Sequence, residues 1–372
     1  MSTSLGELAL LFGRLGFTAF GGPAVHVSMM QEEVVRRRGW LTDERFLDFV
    51  GATNLIPGPN STELALHIGW ERRGLAGLLV AGFCFIGPAV LLTGALAFIY
   101  LRYGGLPAVG WLLDGVKPAM LVVVAQALLA LGRRAMKTPF LILLAAASVS
   151  AVMLGAVEWM VLLGAGLLAV AVSRARLGEV APMVPLAVVG APAVTAGAVS
   201  SASIFWVFLK TGSMLFGSGY VLLAFMRTEL VQQRHWLTEA QLLDAIAAGQ
   251  LTPGPVFSTA TFAGYLLSGP AGAAAATVGI FLPAFVLVAL SGPLVPKLRA
   301  SKAAGAVLDA VNAASLALMG VVTLDLGRAA LGTPSQWLIF AASAVLALRF
   351  GWGSTVLLAL GAVGSVLLHL AA

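Results

Sequence analysis

Residues 12–59 read FGRLGFTAFGGPAVHVSMMQEEVVRRRGWLTDERFLDFVGATNLIPGP, and this stretch decides the fold because the chain contains it twice. With a shift of 196 positions, residues 208–255 align to it without a gap, and 19 of the 48 positions are identical. Both copies end in Pro-Gly-Pro, at residues 57–59 and 253–255. Self-similarity at a fixed shift indicates an internal duplication, which determines the architecture.

The duplication covers nearly the whole chain. After a one-residue slip the register continues at a shift of 195, which pairs Gly69 with Gly264 and Pro88 with Pro283. The stretch between the copies contains several prolines and shows no clear periodicity. We therefore expect three parts: a first repeat at 1–176, a junction at 177–199 and a second repeat at 200–372.

Composition places this duplicated chain in a membrane. Of its 372 residues, 59% are hydrophobic and 10% are charged, and its mean hydropathy is +0.97. A soluble domain carries about 45–50% apolar and about 25% charged residues. Because a helical span needs about 20 apolar residues and the chain has many such runs, we predict an all-α polytopic membrane protein.

Several function classes are excluded by what the sequence lacks. The net charge of +6 is small, and no basic stretch with interleaved aromatic residues indicates nucleic-acid binding. A single cysteine, Cys84, excludes an intramolecular disulfide and a multi-cysteine metal site, and no motif indicates a cofactor or metal. The phosphate-binding loop of ATP-driven pumps and the hydrolase motifs are missing, so we do not expect an enzyme.

Each repeat shows the same series of helix breaks. A leading helix, at about 5–20 in the first copy, is interrupted at the Gly-Gly-Pro of residues 21–23 and resumes as a half-helix. Two short helices then flank each Pro-Gly-Pro, and neither is long and apolar enough to span a bilayer. Since irregular backbone at membrane depth occurs only inside protein or beside a cavity, we predict re-entrant helical hairpins at 43–73 and 239–268.

The number of spans predicts how the repeats are oriented. Four further apolar runs follow in each copy, which makes about five spans per repeat. An odd number forces the two copies into opposite orientations, so we predict inverted-topology repeats. Basic residues favour the cytoplasmic side, and the arginines at 36–38 and the basic loop at 297–302 both lie there in this arrangement. Both termini are then outside.

One cation of the leading helix recurs in both copies. Arg14 and its repeat mate Lys210 lie midway along this helix, and ionisable residues in a membrane segment usually face a cavity or one another. Two cations related by the pseudo-symmetry axis would face a common centre and bind an anionic substrate. In the alternative interpretation each cation pairs with a carboxylate, such as Asp114 or Asp309, or extends to the interface.

The helix breaks supply a second set of anion-binding candidates. A helix N-terminus carries about half a positive charge and several unpaired N–H donors, and duplicated transporters place substrates at broken helices near the midplane. Close packing and kinking are the alternative reasons for these glycines and prolines. The substrate-binding candidates here are Gly21, Gly22, Asn60, Ser61, Thr62, Gly217, Gly219, Ser258 and Thr259, and the breaks are formed by Pro23, Pro57, Gly58, Pro59, Pro253, Gly254 and Pro255.

Four titratable residues are candidates for proton coupling. His26 and Glu63 occur in the first copy only. His26 follows a helix break and, as a histidine, suits substrate binding or proton transfer, unless it is a hydrogen-bonded packing residue. Glu33 and its mate Glu229 either carry a coupling proton or form interfacial salt bridges. The remaining histidines, His67, His235 and His369, are expected at interfaces or near the terminus and receive no role.

These motifs resemble those of the chromate ion transporter family. The first copy carries FGGPAVH at 20–26, WLT at 40–42 and LIPGPNSTELA at 55–65, and the second carries WLT at 236–238 and GQLTPGP at 249–255. The resemblance spans most of the chain and is to the long, two-domain members of the family. It implies a carrier of the bacterial inner membrane that exports chromate, with sulfate, its tetrahedral dianion analogue, as a related ion.

We therefore expect a secondary active transporter of a divalent oxyanion that rocks one repeat against the other. Export of another small organic or phosphorus-containing anion is an alternative in the same class. A lipid-phosphate flippase or scramblase is an alternative from a different class, since re-entrant hairpins and buried cations also suit a lipid headgroup, and a passive anion channel is a further one. The expected partners are the anion and the lipid bilayer. The sequence leaves the oligomeric state open, and a homodimer is one alternative.

Overall fold

A computed structural model describes residues 3–20, 22–53, 56–177, 199–215, 221–291 and 302–371, and all regular elements in these ranges are helical. The first repeat forms α1 (Leu5–Thr18), α2 (Pro23–Gln31), a π-helical turn (Glu32–Arg37), α3 (Asp43–Thr53), α4 (Asn60–Tyr103), α5 (Pro107–Ala135), α6 (Pro139–Met153) and α7 (Glu158–Leu177). The second repeat forms α8 (Ser201–Met214), α9 (Leu222–Met226), a π-helical turn (Arg227–Gln233), α10 (Glu239–Leu251), a 3-10 turn (Val256–Ser258), α11 (Thr259–Ser291), α12 (Lys302–Ala330), α13 (Pro334–Phe350) and α14 (Ser354–Ala371). The two series correspond closely, in agreement with a duplicated all-α fold.

Parts of the predicted organisation lie outside the described residues. Among them are most of the junction at 177–199, the basic residues Lys297 and Arg299, and the site candidates Gly21, Gly217 and Gly219. What the sequence indicates for them stays a prediction.

The leading helix of the first repeat is short and ends where the sequence predicts a break. In α1 the Ser4 hydroxyl accepts from the Glu7 N–H while the Glu7 carboxylate accepts from the Ser4 N–H, a capping box that fixes the start of the helix. α2 begins at Pro23, whose fixed φ and missing N–H suit a first helical turn. Thr42 and Thr238 cap α3 and α10 through their hydroxyls. Local sequence therefore sets these helix starts.

A sharp turn interrupts α4 and its repeat mate α11 at the same place. Gly74 leaves the helical conformation with φ 57° and ψ −144°, and Gly269 does so with φ 57° and ψ −149°. The arms then cross so closely that a Cβ on Gly77 would overlap the carbonyl oxygen of Gly69, and the corresponding pair in α11 is equally close. Glycine permits both the positive φ and the close approach. These turns lie at the predicted ends of the two hairpins.

Four helices in the described part of the chain are long and apolar enough to cross a membrane. They are Asn60–Tyr103, Pro107–Arg133, Val256–Ser291 and Gly305–Ala330, two from each repeat. Shorter apolar helices, α6, α7, α13 and α14, accompany them. The chain is therefore a multi-pass membrane protein, whereas the count of about five spans per repeat and the inverted orientation stay predictions.

The helices of the two repeats interleave. α4 packs along α11, α5 packs against α13 and α14, and α12 packs against α6 and α7. Two main hydrophobic cores result. One lies within α1–α4 and includes Phe12, Phe46 and Phe85, whereas the larger one joins α5–α7 to the helices of the second repeat.

This interleaving leaves the two hairpins in different surroundings. Residues 242–250 of α10 are all buried, whereas the buried residues of α3 lie along one face. The repeat mates Leu243 and Leu47 show the difference most clearly, since Leu243 is 2% exposed and Leu47 is 54% exposed. In the second repeat α10 is thus enclosed by α5, α12 and α14, whereas α3 of the first repeat keeps one face at the protein surface.

Candidate functional site

The two Pro-Gly-Pro loops each contact the broken leading helix of the other repeat. The N–H of Gly58 donates to the carbonyl oxygen of Leu215 at 2.7 Å, and the N–H of Gly254 donates to that of Ala19 at 3.0 Å. Ala19 and Leu215 are repeat mates that terminate α1 and α8. The repeats therefore exchange the same hydrogen bond, and the helix breaks meet at the interface between them.

This exchange depends on glycine. Gly254 has a φ of +90° and Gly58 a φ of +147°, conformations that residues with a Cβ rarely adopt. A Cβ on Gly254 would lie 2.9 Å from the Cβ of Ala89. A Cβ on Gly58 would lie 3.3 Å from the Cβ of Ala284, which is the repeat mate of Ala89. Because both glycine N–H groups bind protein carbonyls, the donors for an anion at these breaks must come from the residues that follow.

Buried hydroxyl groups follow both loops. Ser61 and Thr62 at the start of α4, and Ser258 and Thr259 at the start of α11, are at most 2% exposed. The hydroxyls of Thr62, Ser258 and Thr259 have no hydrogen-bond partner among the described residues. Since buried polar groups are normally hydrogen-bonded, these side chains form a region suited to a polar ligand, and half-buried Asn60 lies beside them.

Glu63 is the buried carboxyl group of this region. Its side chain is inaccessible to solvent, and within the described ranges neither carboxyl oxygen has a hydrogen-bond partner. A Cβ on Gly58 would collide with this carboxyl group, so Glu63 lies directly against the loop that crosses to the second repeat. An unpaired buried carboxylate is costly in a medium of low dielectric, which makes a proton the ligand that this position favours.

His26 is bound to the end of the helix that precedes it. Its Nε2–H donates to the carbonyl oxygen of Ala19 at 2.9 Å, and its Nδ1 has no partner in the described part of the chain. The ring meets Phe85 edge-on, with the ring centres 5.6 Å apart. Its repeat mate is Leu222, which is equally buried. The geometry matches a hydrogen-bonded packing histidine, and a role in substrate or proton handling stays a prediction.

The predicted cations Arg14 and Lys210 pair with carboxylates that are themselves repeat mates. Arg14 lies 4.0 Å from Glu33, and Lys210 contacts Glu229 directly. The side chain of Arg14 is nevertheless 64% exposed. The structure thus contains the interfacial salt bridges considered for Glu33 and Glu229, and contact of either cation with a substrate stays a prediction.

The carboxylates expected as partners of these cations bind elsewhere. Asp114 accepts a hydrogen bond from Gln336 at 3.4 Å, and Asp309 pairs with Lys137 at 3.2 Å. Each cation thus pairs with a carboxylate, as the alternative interpretation has it, but the two acids named as examples were wrong because α5 and α12 carry them to residues of the opposite repeat and not to the leading helices.

A cleft lies beside Arg14. It lies between α1 and the segment formed by α2 and the following π-helical turn, and its volume is about 360 Å³. Its lining combines two arginines, two glutamates and two hydroxyl groups: Arg14, Arg37, Glu32, Glu33, Thr18 and Ser28. The two glutamates offset the charge of the two arginines, so the lining carries no net positive charge.

Sequence reasoning missed a polar cluster that joins the repeats. Lys117 Nζ in α5 lies 2.8 Å from Asp244 Oδ1 in α10, and the Tyr100 hydroxyl donates to Asp244 Oδ2 at 2.8 Å. A lysine within an apolar run was the available signal. Its partner belongs to the other repeat, so spacing along the chain does not reveal the pair.

Two further polar contacts fix the segment before the second hairpin, one within the second repeat and one to the first. Arg227 pairs with Asp325 of α12 at 2.8 Å, and the Thr228 hydroxyl donates to Glu158 of α7. Both start from the π-helical turn that precedes α10. The segment that leads into α10 is therefore anchored by polar contacts.

The duplicated all-α fold, with long apolar helices and with breaks that meet between the repeats, defines a multi-pass membrane protein built on the plan of repeat-containing transporters. The chain belongs to the chromate transporter family, whose model matches it twice, at residues 6–171 and 202–366. The family resemblance of the sequence motifs is thereby confirmed.

Curated relatives match over nearly the full length. The chain is 32% identical over 384 residues to the chromate transport protein of Pseudomonas aeruginosa, covering 96% of this chain and 91% of the relative. It is 31% identical over 358 residues to the chromate transport protein of Cupriavidus metallidurans, covering 92% and 88%. It is 29% identical over 350 residues to the probable chromate transport protein of Synechococcus elongatus, covering 90% and 88%. No solved structure matches the chain.

Proposed function

We propose that the protein is a secondary active transporter that exports chromate, or a related dianion such as sulfate, across the bacterial inner membrane. Family membership and relatives named chromate transport proteins support chromate as the ion. The structural observation that carries the proposal is Glu63, a buried carboxyl group without a described partner, beside the loop that crosses between the repeats.

The dianion binds where the loops cross. The hydroxyls of Thr62, Ser258 and Thr259 donate to its oxygens, and the starts of α4 and α11 add partial positive charge. Arg14 and Lys210 attract the anion towards this region. The proposed site also includes the breaks of the leading helices, with Gly21, Gly22, Gly217 and Gly219.

The two repeats, at 1–176 and 200–372, are the bodies that rock against each other in this proposal. Because the repeats have opposite orientations in the membrane, the region where the two Pro-Gly-Pro loops cross has equivalent backbone structure on its two sides. Rocking then opens this region first to one side of the membrane and then to the other. The differences between the copies, above all Glu63 and His26, give the cycle its direction.

Glu63 couples a proton to the movement of the dianion. An ionised Glu63 repels a dianion strongly at short range in a medium of low dielectric, so the dianion binds when Glu63 holds a proton. One proton and one dianion then move together and carry one net negative charge. An inside-negative potential favours outward movement of that charge by about 2.3 kcal/mol per 100 mV, which supports export.

Reconstitution of the purified protein in liposomes tests the proposal. We expect saturable uptake of radiolabelled chromate when a potassium diffusion potential makes the lumen positive, and competition by sulfate. Uptake that neither saturates nor responds to the potential would indicate a passive pathway and would refute secondary active transport.

A substitution at Glu63 tests the coupling. Glu63→Gln keeps the side chain neutral, so potential-driven chromate uptake should continue while its response to an imposed pH gradient disappears. Glu44→Gln changes an exposed glutamate of α3 and should behave as the unchanged protein does. A normal pH response in Glu63→Gln would exclude Glu63 as the proton carrier.

A further inference from the structure

His67 lies one helical turn beyond Glu63 on α4 and is enclosed by protein. It is 2% exposed, and its Nε2 has no hydrogen-bond partner in the described ranges. Its ring stacks on Phe49 of α3, with the ring centres 5.4 Å apart and the planes 10° from parallel. This histidine is enclosed because the short hairpin folds α3 over it, and its expected depth at the membrane interface stays a prediction.

Glu63, His67 and Glu71 form a stripe of titratable side chains along α4. A spacing of four residues brings successive Cβ atoms to about 5–6 Å from each other on one helix face. Each step advances about 6 Å along the axis. The stripe ends at Glu71, which is partly exposed and pairs with Arg45 at 3.0 Å. Arg45 also lies over the Phe49 ring, 4.8 Å from its centre. Phe49 therefore contacts both the surface ion pair and His67.

The stripe is specific to the first repeat. At the corresponding positions of α11 the second repeat has Ser258, Phe262 and Leu266, which cannot relay a proton by acid–base exchange. The first repeat is also the one in which α3 keeps an exposed face. Titratable side chains therefore lead towards the surface in one repeat only, although the two repeats share the same backbone plan.

We propose that Glu63, His67 and Glu71 form a proton relay between the transport site and the aqueous surface at the Arg45–Glu71 pair. This inference rests on the proposed role of Glu63 in transport. The O–H bond of protonated Glu63 breaks and the proton forms an N–H bond at Nε2 of His67, which leaves a carboxylate and an imidazolium. The imidazolium then releases a proton to the Glu71 carboxylate, from which it passes to water. Reversal of the same steps reloads Glu63.

Replacement of His67 by the residue of its repeat mate tests the relay. His67→Phe keeps an aromatic ring against Phe49 and removes both ring nitrogens. His369→Phe is the matched control, since His369 also stacks on an aromatic ring, that of Trp111, at 5.5 Å. Each protein is reconstituted in liposomes that contain a pH-sensitive dye.

Two rates are measured on each preparation. The first is proton movement driven by a chromate gradient, which requires Glu63 to exchange its proton with water. The second is exchange of labelled for unlabelled chromate at equal concentrations, during which the proton stays on Glu63. We expect His67→Phe to lower the first rate at least tenfold and to leave the second within twofold. His369→Phe should change neither rate.

Three outcomes would decide against the relay or its basis. Unchanged proton movement in His67→Phe would overturn the relay and leave the transport proposal intact. Loss of exchange as well, in both His67→Phe and His67→Gln, would mean that His67 supports the fold alone and would also overturn the relay. Chromate transport by the unchanged protein without proton movement would refute the coupling itself.

Discussion

Gly254 is joined to Ala19 across the repeat boundary by an N–H···O bond of 3.0 Å, and the same carbonyl oxygen accepts from Nε2 of His26 at 2.9 Å. In the other half the carbonyl of Leu215 accepts from Gly58, and the position of His26 holds an apolar residue. One half of a two-fold arrangement thus has an additional donor. Since Ala19 ends α1, a shift of α1 against the second Pro-Gly-Pro loop must break the bond from Gly254, whereas His26, which belongs to the same repeat as Ala19, can keep its own bond.

Gly254→Ala should disrupt this junction. The new Cβ would meet the Cβ of Ala89 at 2.9 Å on a backbone with φ +90°. We expect a loss of about 1–3 kcal/mol in the free energy of unfolding and a large fall in chromate uptake. Thermal unfolding in detergent measures the first effect. Gly13→Ala in α1 adds its Cβ to open space and should cost nothing, so equal losses in the two variants would contradict the prediction.

His26→Leu makes the first repeat resemble the second at this position. It removes one of the two donors to Ala19, while the Gly254 N–H continues to satisfy that carbonyl oxygen. We therefore expect a modest loss of about 1 kcal/mol in the free energy of unfolding. Adding Gly254→Ala to His26→Leu should cost more than the sum of the single changes, because the clash at residue 254 then displaces the one donor that His26→Leu leaves to the carbonyl. Additive losses would argue against a shared acceptor.

Lys117→Met should be among the most destabilising single changes. Asp244 is 5% exposed, and without the lysine its charge keeps only the Tyr100 hydroxyl as a partner among the described contacts. Removal of one member of a buried ion pair costs about 3–5 kcal/mol. Lys117→Met combined with Asp244→Leu should recover part of this loss, and unfolding of the three variants in detergent measures it.

The pair formed by Lys137 and Asp309 is the matched control for Lys117 and Asp244. It also joins the two repeats, at 3.2 Å, but both side chains are exposed. Lys137→Met should therefore cost less than about 1 kcal/mol. A loss as large as that of Lys117→Met would mean that burial is not what distinguishes the two pairs.

Arg14→Ala separates a functional from a structural role of this cation. Its side chain is exposed and 4.0 Å from Glu33, which keeps Arg37 and Arg38 as partners, so we expect a change in stability below about 1 kcal/mol. If Arg14 attracts the dianion, chromate uptake in liposomes should fall at least tenfold, and Arg14→Lys should retain most of it. Normal uptake in a stable Arg14→Ala protein would remove Arg14 from the proposed site.

The helix breaks were predictable from sequence because glycine and proline act on their own backbone. The turn at Gly74 and its mate at Gly269, the start of α2 at Pro23 and the crossing at Gly58 and Gly254 all lie at predicted breaks. A positive φ or a missing N–H is a property of the residue itself, and it needs no knowledge of distant parts of the chain.

Side-chain partners were not predictable in the same way. Arg14 pairs with Glu33 and not with Asp114, and Lys117 pairs with Asp244 of the other repeat. Which carboxylate lies near a cation depends on how helices far apart in the chain pack together. The burial of His67 has the same origin, because Phe49 reaches it only when α3 folds back on α4.

The amino-acid sequence alone determined that the protein is membrane-embedded, helical and duplicated, and where each repeat breaks its helices. Only the tertiary structure decided that the two copies differ, with Leu243 enclosed and its mate Leu47 exposed. The physical reason is that α5, α12 and α14 enclose α10 and leave one face of α3 at the surface. Two similar sequences thus acquire different surroundings, and the first repeat alone carries a titratable stripe from the buried crossing to the surface.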